Sequence, residues 1–437
     1  MSATRIENAA DRKDRPAGAK WAPSWTAAMQ GPAPAGVPAA LPDQSFALPG
    51  FSARNQTFRM VIRLDLWGRT VRLRFSNAYG DRPIRLSAVR VALHAGSGAL
   101  VPGTMARAGF ATADSFSIPT GSEILSDPIE LPFVGGPSDP ALIGRKLAVS
   151  FHVEGETGPL TWHAKAMTTS YISPPDSGVL SEDDSDAAFP YTTTAWHFLD
   201  GLDVVAPNNA TVVAALGDSI TDGTFSTLNG DDRWSDRLSR RLHAAYGEHV
   251  SVVNVGIGGN QVVGPATYPP PFNGGPSALD RLERDVLSRA GITHVIWVEG
   301  VNDFGQAFTP PGTPSATAGA VIDGLRAGAK RMQAAGIKVI VGTLPPSLNA
   351  TRDVYGAPET DARRRDVNAF IRTSGIFDGV VDFEAATMDA ATGEFKAEFQ
   401  PDSTLGGPPD HLHPNRAGYL AMGDAVDLSM LAPRGSD

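Results

Sequence analysis

The sequence predicts an all-β domain of sandwich or jelly-roll type, followed by an α/β domain with a doubly wound parallel sheet. Three observations carry this. Up to about residue 202 the apolar runs are short, closely spaced and punctuated by Gly and Pro, with no helical period. From Thr211 onward, apolar strand-like runs alternate with segments of helical periodicity, as βαβ units require. Between the two patterns lies Pro207-Asn208-Asn209, which breaks both. The expected division is a disordered tail over 1–20, a β domain over 21–207 and an α/β domain over 208–437.

Composition sets the outer bounds. The 437 residues are 42% hydrophobic and 19% charged, enough for large cores. The net charge of -10 argues against nucleic acid as a partner, because phosphate binding needs a basic surface. With no cysteine, disulfides, thiolate zinc sites and a cysteine nucleophile are excluded. No apolar run approaches the length of a membrane span. Residues 1–20 are polar and lack an apolar core, so they do not read as a signal peptide. The expected location is cytoplasmic for the chain as written, and secreted or periplasmic if a leader was removed.

In the first half, strands are expected over 58–66 and 71–75, joined by a hairpin turn at Trp67-Gly68-Arg69. Val71-Arg72-Leu73-Arg74-Phe75 alternates, which predicts one buried and one wet face. Further strands are expected over 88–93, 129–133, 147–153 and 160–164. A long loop is expected over 173–189 and a last strand region over 191–202. In the second half, strands are expected over 212–217, 250–255, 294–298, 338–344 and 377–383. Helices are expected over 232–246, 277–289, 317–335, 361–373 and 414–429.

The chemistry begins where the first parallel strand stops, at Gly217-Asp218-Ser219. A serine there sits at the carboxyl edge of the sheet, where open α/β folds bind ligands. A plainer role, capping the next helix, is equally open from this stretch alone. A serine nucleophile needs a base and oxyanion donors. Of nine histidines, His413 stands out, in Asp410-His411-Leu412-His413-Pro414-Asn415. Pro414 suits a first helical position, which would put His413 at a helix entrance. Asp410 can fold back to His413 Nδ1, leaving Nε2 for Ser219. Asp410, His411 and His413 are also a possible metal set. Gly256-Ile257-Gly258-Gly259 and Asn302 fall at the next two strand ends, where backbone and carboxamide N–H groups can meet a developing negative charge.

Taken in order, Gly217-Asp218-Ser219-Ile220, Gly259, Gly300-Val301-Asn302-Asp303 and Asp410-His411-Leu412-His413 resemble the four motif blocks of the SGNH hydrolases, or GDSL esterases. The resemblance covers roughly 211–431, with Ile220 in place of the family's leucine. It implies a flavodoxin-like catalytic domain and a serine esterase with no cofactor and no metal. Ser219 would be the nucleophile, His413 the base and Asp410 its orienting partner. Ser219, Gly259 and Asn302 would form the oxyanion hole, Gly259 being preferred to Gly258 by its spacing from Asn254. Small-molecule esters of acetyl to butyryl length are expected as substrates. Acetylated carbohydrate and a non-catalytic carbohydrate-binding role are the alternatives. The first half resembles β-rich domains that precede the hydrolase in one group of bacterial members. There Trp162, His163, Trp196 and His197 either stack on sugar or, as the favoured expectation, pack in the core.

Overall fold

The computed structural model describes residues 4–6, 18–39, 44–264, 273–305, 314–405 and 407–433. The chain divides into two compact units, Met1–Ala210 and Thr211–Asp437.

The first unit is β-rich and mainly antiparallel. One sheet runs in the order Thr4–Ile6, Ser122–Leu125, Thr70–Ser76, Leu199–Pro207, Ala19–Thr26. A second is built around Ser52–Ile62, Leu147–Pro159 and Ile84–Gly96. Phe75 of the first sheet meets Phe151 of the second edge-on, with ring centroids 5.1 Å apart. Phe151 stacks on Phe58 at 5.5 Å. The sheets therefore face each other across an aromatic core, as in a sandwich.

Three expectations need correction here. Trp67-Gly68-Arg69 is no hairpin: Ser52–Ile62 and Thr70–Ser76 belong to different sheets, and the segment carries the chain between them. Nor does Thr70–Ser76 have a wet face. It lies inside its sheet, and Arg72 and Arg74 are buried. Arg72 pairs with Asp203 at 2.8 Å under the Trp21 ring, and Arg74 pairs with Asp200 at 3.1 Å. The alternating charges are paired with acids on the neighbouring Leu199–Pro207 strand, although Arg74 Nη2 is buried without a hydrogen-bond partner. Last, Thr4–Ile6, expected in a disordered tail, pairs in parallel with Ser122–Leu125. The rest of residues 1–17 lies outside the described residues.

Trp162, His163, Trp196 and His197 lie on a small third sheet and are all buried within this unit. Trp162 Nε1 donates to the Ala35 carbonyl and Trp196 Nε1 to the Val61 carbonyl, each at 2.9 Å. His163 stacks on Trp196, and His197 on Trp162. The packing role holds, and no ring face among the four is open to a sugar.

The second unit is a five-stranded parallel sheet. Its strands, in chain order, are Thr211–Gly217, Val250–Gly256, His294–Val298, Lys338–Gly342 and Gly379–Val381. In space the order is second, first, third, fourth, fifth. All pairs are parallel. This is the flavodoxin-like winding, with the switch point beside the first strand. The strands are almost wholly buried, as helices on both faces demand.

Helices fall close to expectation at Trp234–Tyr246, Ala318–Ala334 and Pro358–Thr373. Three details differ. The helix expected over 277–289 is α-helical only over Ala278–Leu282 and widens into a π-turn at Glu283–Leu287, closed by Ser288 N–H to Glu283 O at 2.9 Å. The fifth strand is only Gly379–Val381, because Asp382 caps a short helix, Phe383–Thr387. The last helix, Arg416–Ala425, starts two residues after Pro414, since the Asn415 side chain caps it by accepting from Gly418 N–H. No helix among the described residues is long and apolar enough to cross a membrane.

Candidate active site

The first strand ends at Gly217, and the chain turns at once into the short helix Ser219–Asp222. The turn is tight: a Cβ on Gly217 would collide with the Val298 carbonyl and the Thr221 hydroxyl. Asp218, not Ser219, caps this helix, its carboxylate accepting from Ile220 N–H at 3.0 Å. The Ser219 hydroxyl is thereby left for other work, and it lies 2.7 Å from His413 Nε2.

His413 is brought there by a loop that folds on itself. His411 adopts a left-handed φ of 54°, and Asp410 Oδ1 accepts from the N–H groups of Leu412 and His413 at 3.0 and 2.9 Å. Asp410 Oδ2 lies 2.6 Å from His413 Nδ1. Burial alone would raise the Asp410 carboxyl, but the His413 ring and these N–H groups hold it below the usual carboxylate range. An anionic Asp410 places the proton on Nδ1 and leaves the Nε2 lone pair facing Ser219. Phe225 packs against the His413 ring, centroid to centroid at 5.8 Å.

His411 does not join them. Its Nδ1 is 3.9 Å from Glu394. Among the described residues no three His, Asp or Glu side chains are grouped as a metal would need.

The second and third strand ends form a linked pair of loops. The Gly258 N–H is taken by Asp222 Oδ2 at 2.7 Å. Gly259 has a φ of 81°, and no hydrogen bond among those of the described residues uses its N–H. Asn302 Nδ2 donates to the Asn260 carbonyl at 2.9 Å, and Gln261 Nε2 donates to the Asn302 carbonyl at 3.0 Å. Asp303 accepts from Val262 and Val263 N–H at 2.8 and 3.0 Å. Burial pushes the Asp303 carboxyl up to about 6 against those two bonds.

Several supporting residues carry no local signal in the sequence. Arg281 is buried and donates to Gly217 O, Val255 O and Asn260 Oδ1 at 3.1, 2.6 and 2.7 Å. Glu299, also buried, accepts from Trp297 Nε1 at 2.7 Å while its Oε1 has no partner. Burial pushes its carboxyl up to about 8, with Asp218 and Asp303 adding to the rise and Arg281 opposing it. Tyr355 donates its hydroxyl proton to Asn302 Oδ1 at 2.7 Å.

With this geometry in view, the second unit is that of a carboxylic ester hydrolase. The model of the GDSL-like Lipase/Acylhydrolase family matches residues 215–421, most of this unit. No curated protein matches the chain. Among solved structures, a GDSL-like lipase from Bacteroides thetaiotaomicron is 18% identical, covering 50% of this chain and 87% of its own, with a TM-score of 0.35. The aryl esterase of M. smegmatis is 15% identical over 51% of this chain and 100% of its own, with a TM-score of 0.38. A carbohydrate acetylesterase from Sinorhizobium meliloti is 15% identical over 49% of this chain and 95% of its own, with a TM-score of 0.36.

Proposed function

We propose that the second unit hydrolyses small carboxylic esters of short acyl chains, acetyl to butyryl, through an acyl-enzyme on Ser219. The observation that carries this reading is the hydrogen-bonded chain from Ser219 Oγ through the His413 ring to Asp410, at 2.7 and 2.6 Å. Ser219 Oγ attacks the ester carbonyl as its proton passes to His413 Nε2. The backbone N–H groups of Ser219 and Gly259 and one N–H of the Asn302 carboxamide receive the oxyanion. The alcohol leaves with the proton from Nε2. Water, deprotonated by the same nitrogen, then releases the acid.

The expectation of short acyl groups rests on the sequence, which shows no amphipathic apolar lid segment. The test is a panel of 4-nitrophenyl esters from acetate to palmitate, with acetylated sugars, on the wild type and Ser219→Ala. Activity should peak between acetate and butyrate. Ser219→Ala should lose on the order of 10⁵-fold in turnover and all labelling by a fluorophosphonate probe. A peak at long chains overturns the substrate reading, and an active Ser219→Ala overturns the mechanism.

A further inference from the structure

We propose that Tyr355 is a positioning residue that sets the angle of the Asn302 oxyanion donor. The inference rests on the role given to Asn302 above. A carboxamide can rotate about its last bond, so a donor for a developing oxyanion works only if something fixes its plane. Two bonds fix Asn302. Its Nδ2 faces the Asn260 carbonyl, which can only accept, and its Oδ1 faces the Tyr355 hydroxyl, which donates at 2.7 Å. The amide therefore cannot sit with its ends exchanged, and one Nδ2 proton remains for substrate.

Tyr355 is itself held firmly. Its ring is buried in an apolar cluster with Val301, Ala350 and Leu412. Gly305 lies directly against the ring, where a Cβ would collide with it. The same segment reaches the acid–base loop, since Thr351 N–H donates to the Asp410 carbonyl at 3.0 Å. Leu412, in the cluster, is the residue before His413. One stretch, 350–355, thus braces the oxyanion donor on one side and the Asp410–His413 turn on the other. Replacing the hydroxyl with hydrogen leaves Oδ1 of a buried amide without its donor and frees the group to turn.

The test compares Tyr355→Phe, Asn302→Ala and the double variant with the wild type on 4-nitrophenyl acetate, alongside melting temperatures. Tyr355→Phe should lose about tenfold in kcat, with KM within about twofold, because a neutral hydrogen bond carries roughly that factor. In the Asn302→Ala background the same change should lose less than about twofold, as residues acting through one another do. An undiminished loss in that background overturns the inference, since the hydroxyl then acts through general packing. Near-normal kcat for Tyr355→Phe beside a crippled Asn302→Ala overturns it too, and leaves the role of Asn302 standing. Near-normal kcat for Asn302→Ala removes the reading on which both rest. A lowered melting temperature with unchanged kcat identifies a purely structural bond.

Discussion

The guanidinium of Arg281 donates to the Gly217 carbonyl at 3.1 Å, so a buried cation holds the strand end that presents Asp218 and Ser219. The same guanidinium holds Val255 O on the second strand and Asn260 Oδ1 beyond it. Its charge is balanced by Asp285 at 3.1 Å. Arg281→Met keeps the volume but strands three acceptors and part of a buried carboxylate's partnership. Loss of one member of a buried ion pair costs about 3–5 kcal/mol. Urea denaturation should show a drop of that order, together with at least a tenfold loss of kcat as the Ser219 and Asn260 loops loosen. Asp285 also has Arg284 at 2.7 Å and Arg289 at 3.9 Å, and unchanged stability would mean that these two satisfy it without help.

Asp410→Asn tests whether the carboxylate acts through His413. The variant is isosteric, so the turn at 410–413 should survive and the melting temperature should move by only a few degrees. The amide cannot hold the proton on Nδ1 by charge, and the imidazolium formed during attack loses its counterion. Turnover should fall by about 10³–10⁴-fold, as in other serine hydrolases with this change. A loss below about tenfold would remove Asp410 from the catalytic chain.

Glu299 predicts a pH dependence of stability. Its folded-state value of about 8 lies above the ordinary 4.5, so the folded protein binds the proton more tightly. The stability contributed by this group is fully present below about 4.5 and is lost as pH rises through about 8. Glu299→Gln, which stays neutral, should therefore gain stability over the wild type as pH rises from 5 to 9, by roughly 1–3 kcal/mol at the alkaline end. Parallel stability curves for the two proteins across that range would show that Glu299 is ionised in the native state.

The sequence makes the candidate site residues legible because each sits in a compact motif. Ser219 and Asn302 can be found by looking where apolar runs stop, and His413 by looking at the entrance of the last helix. Tyr355 and Arg281 cannot be found so. Tyr355 reaches a residue 53 positions away, and Arg281 reaches one 64 positions away. Neither belongs to a local pattern, and a lone arginine on a helix reads as a solvated charge. Arg72 and Arg74 mislead for a related reason. Period-two alternation reports which side chains share a face, but not what covers that face, and here Asp203, Asp200 and Trp21 do. The hairpin expected at 67–69 fails because a short polar break looks the same whether the chain returns to its own sheet or crosses to another.

The bond between Ser219 and His413 joins positions 194 apart in the chain. During synthesis at roughly 5–20 residues per second, about 10–40 s separate the birth of the hydroxyl from that of the imidazole. Throughout that interval the serine is without His413. On the proposed mechanism, esterase activity therefore waits until the turn at 410–413 and the Arg416–Ala425 helix have been made.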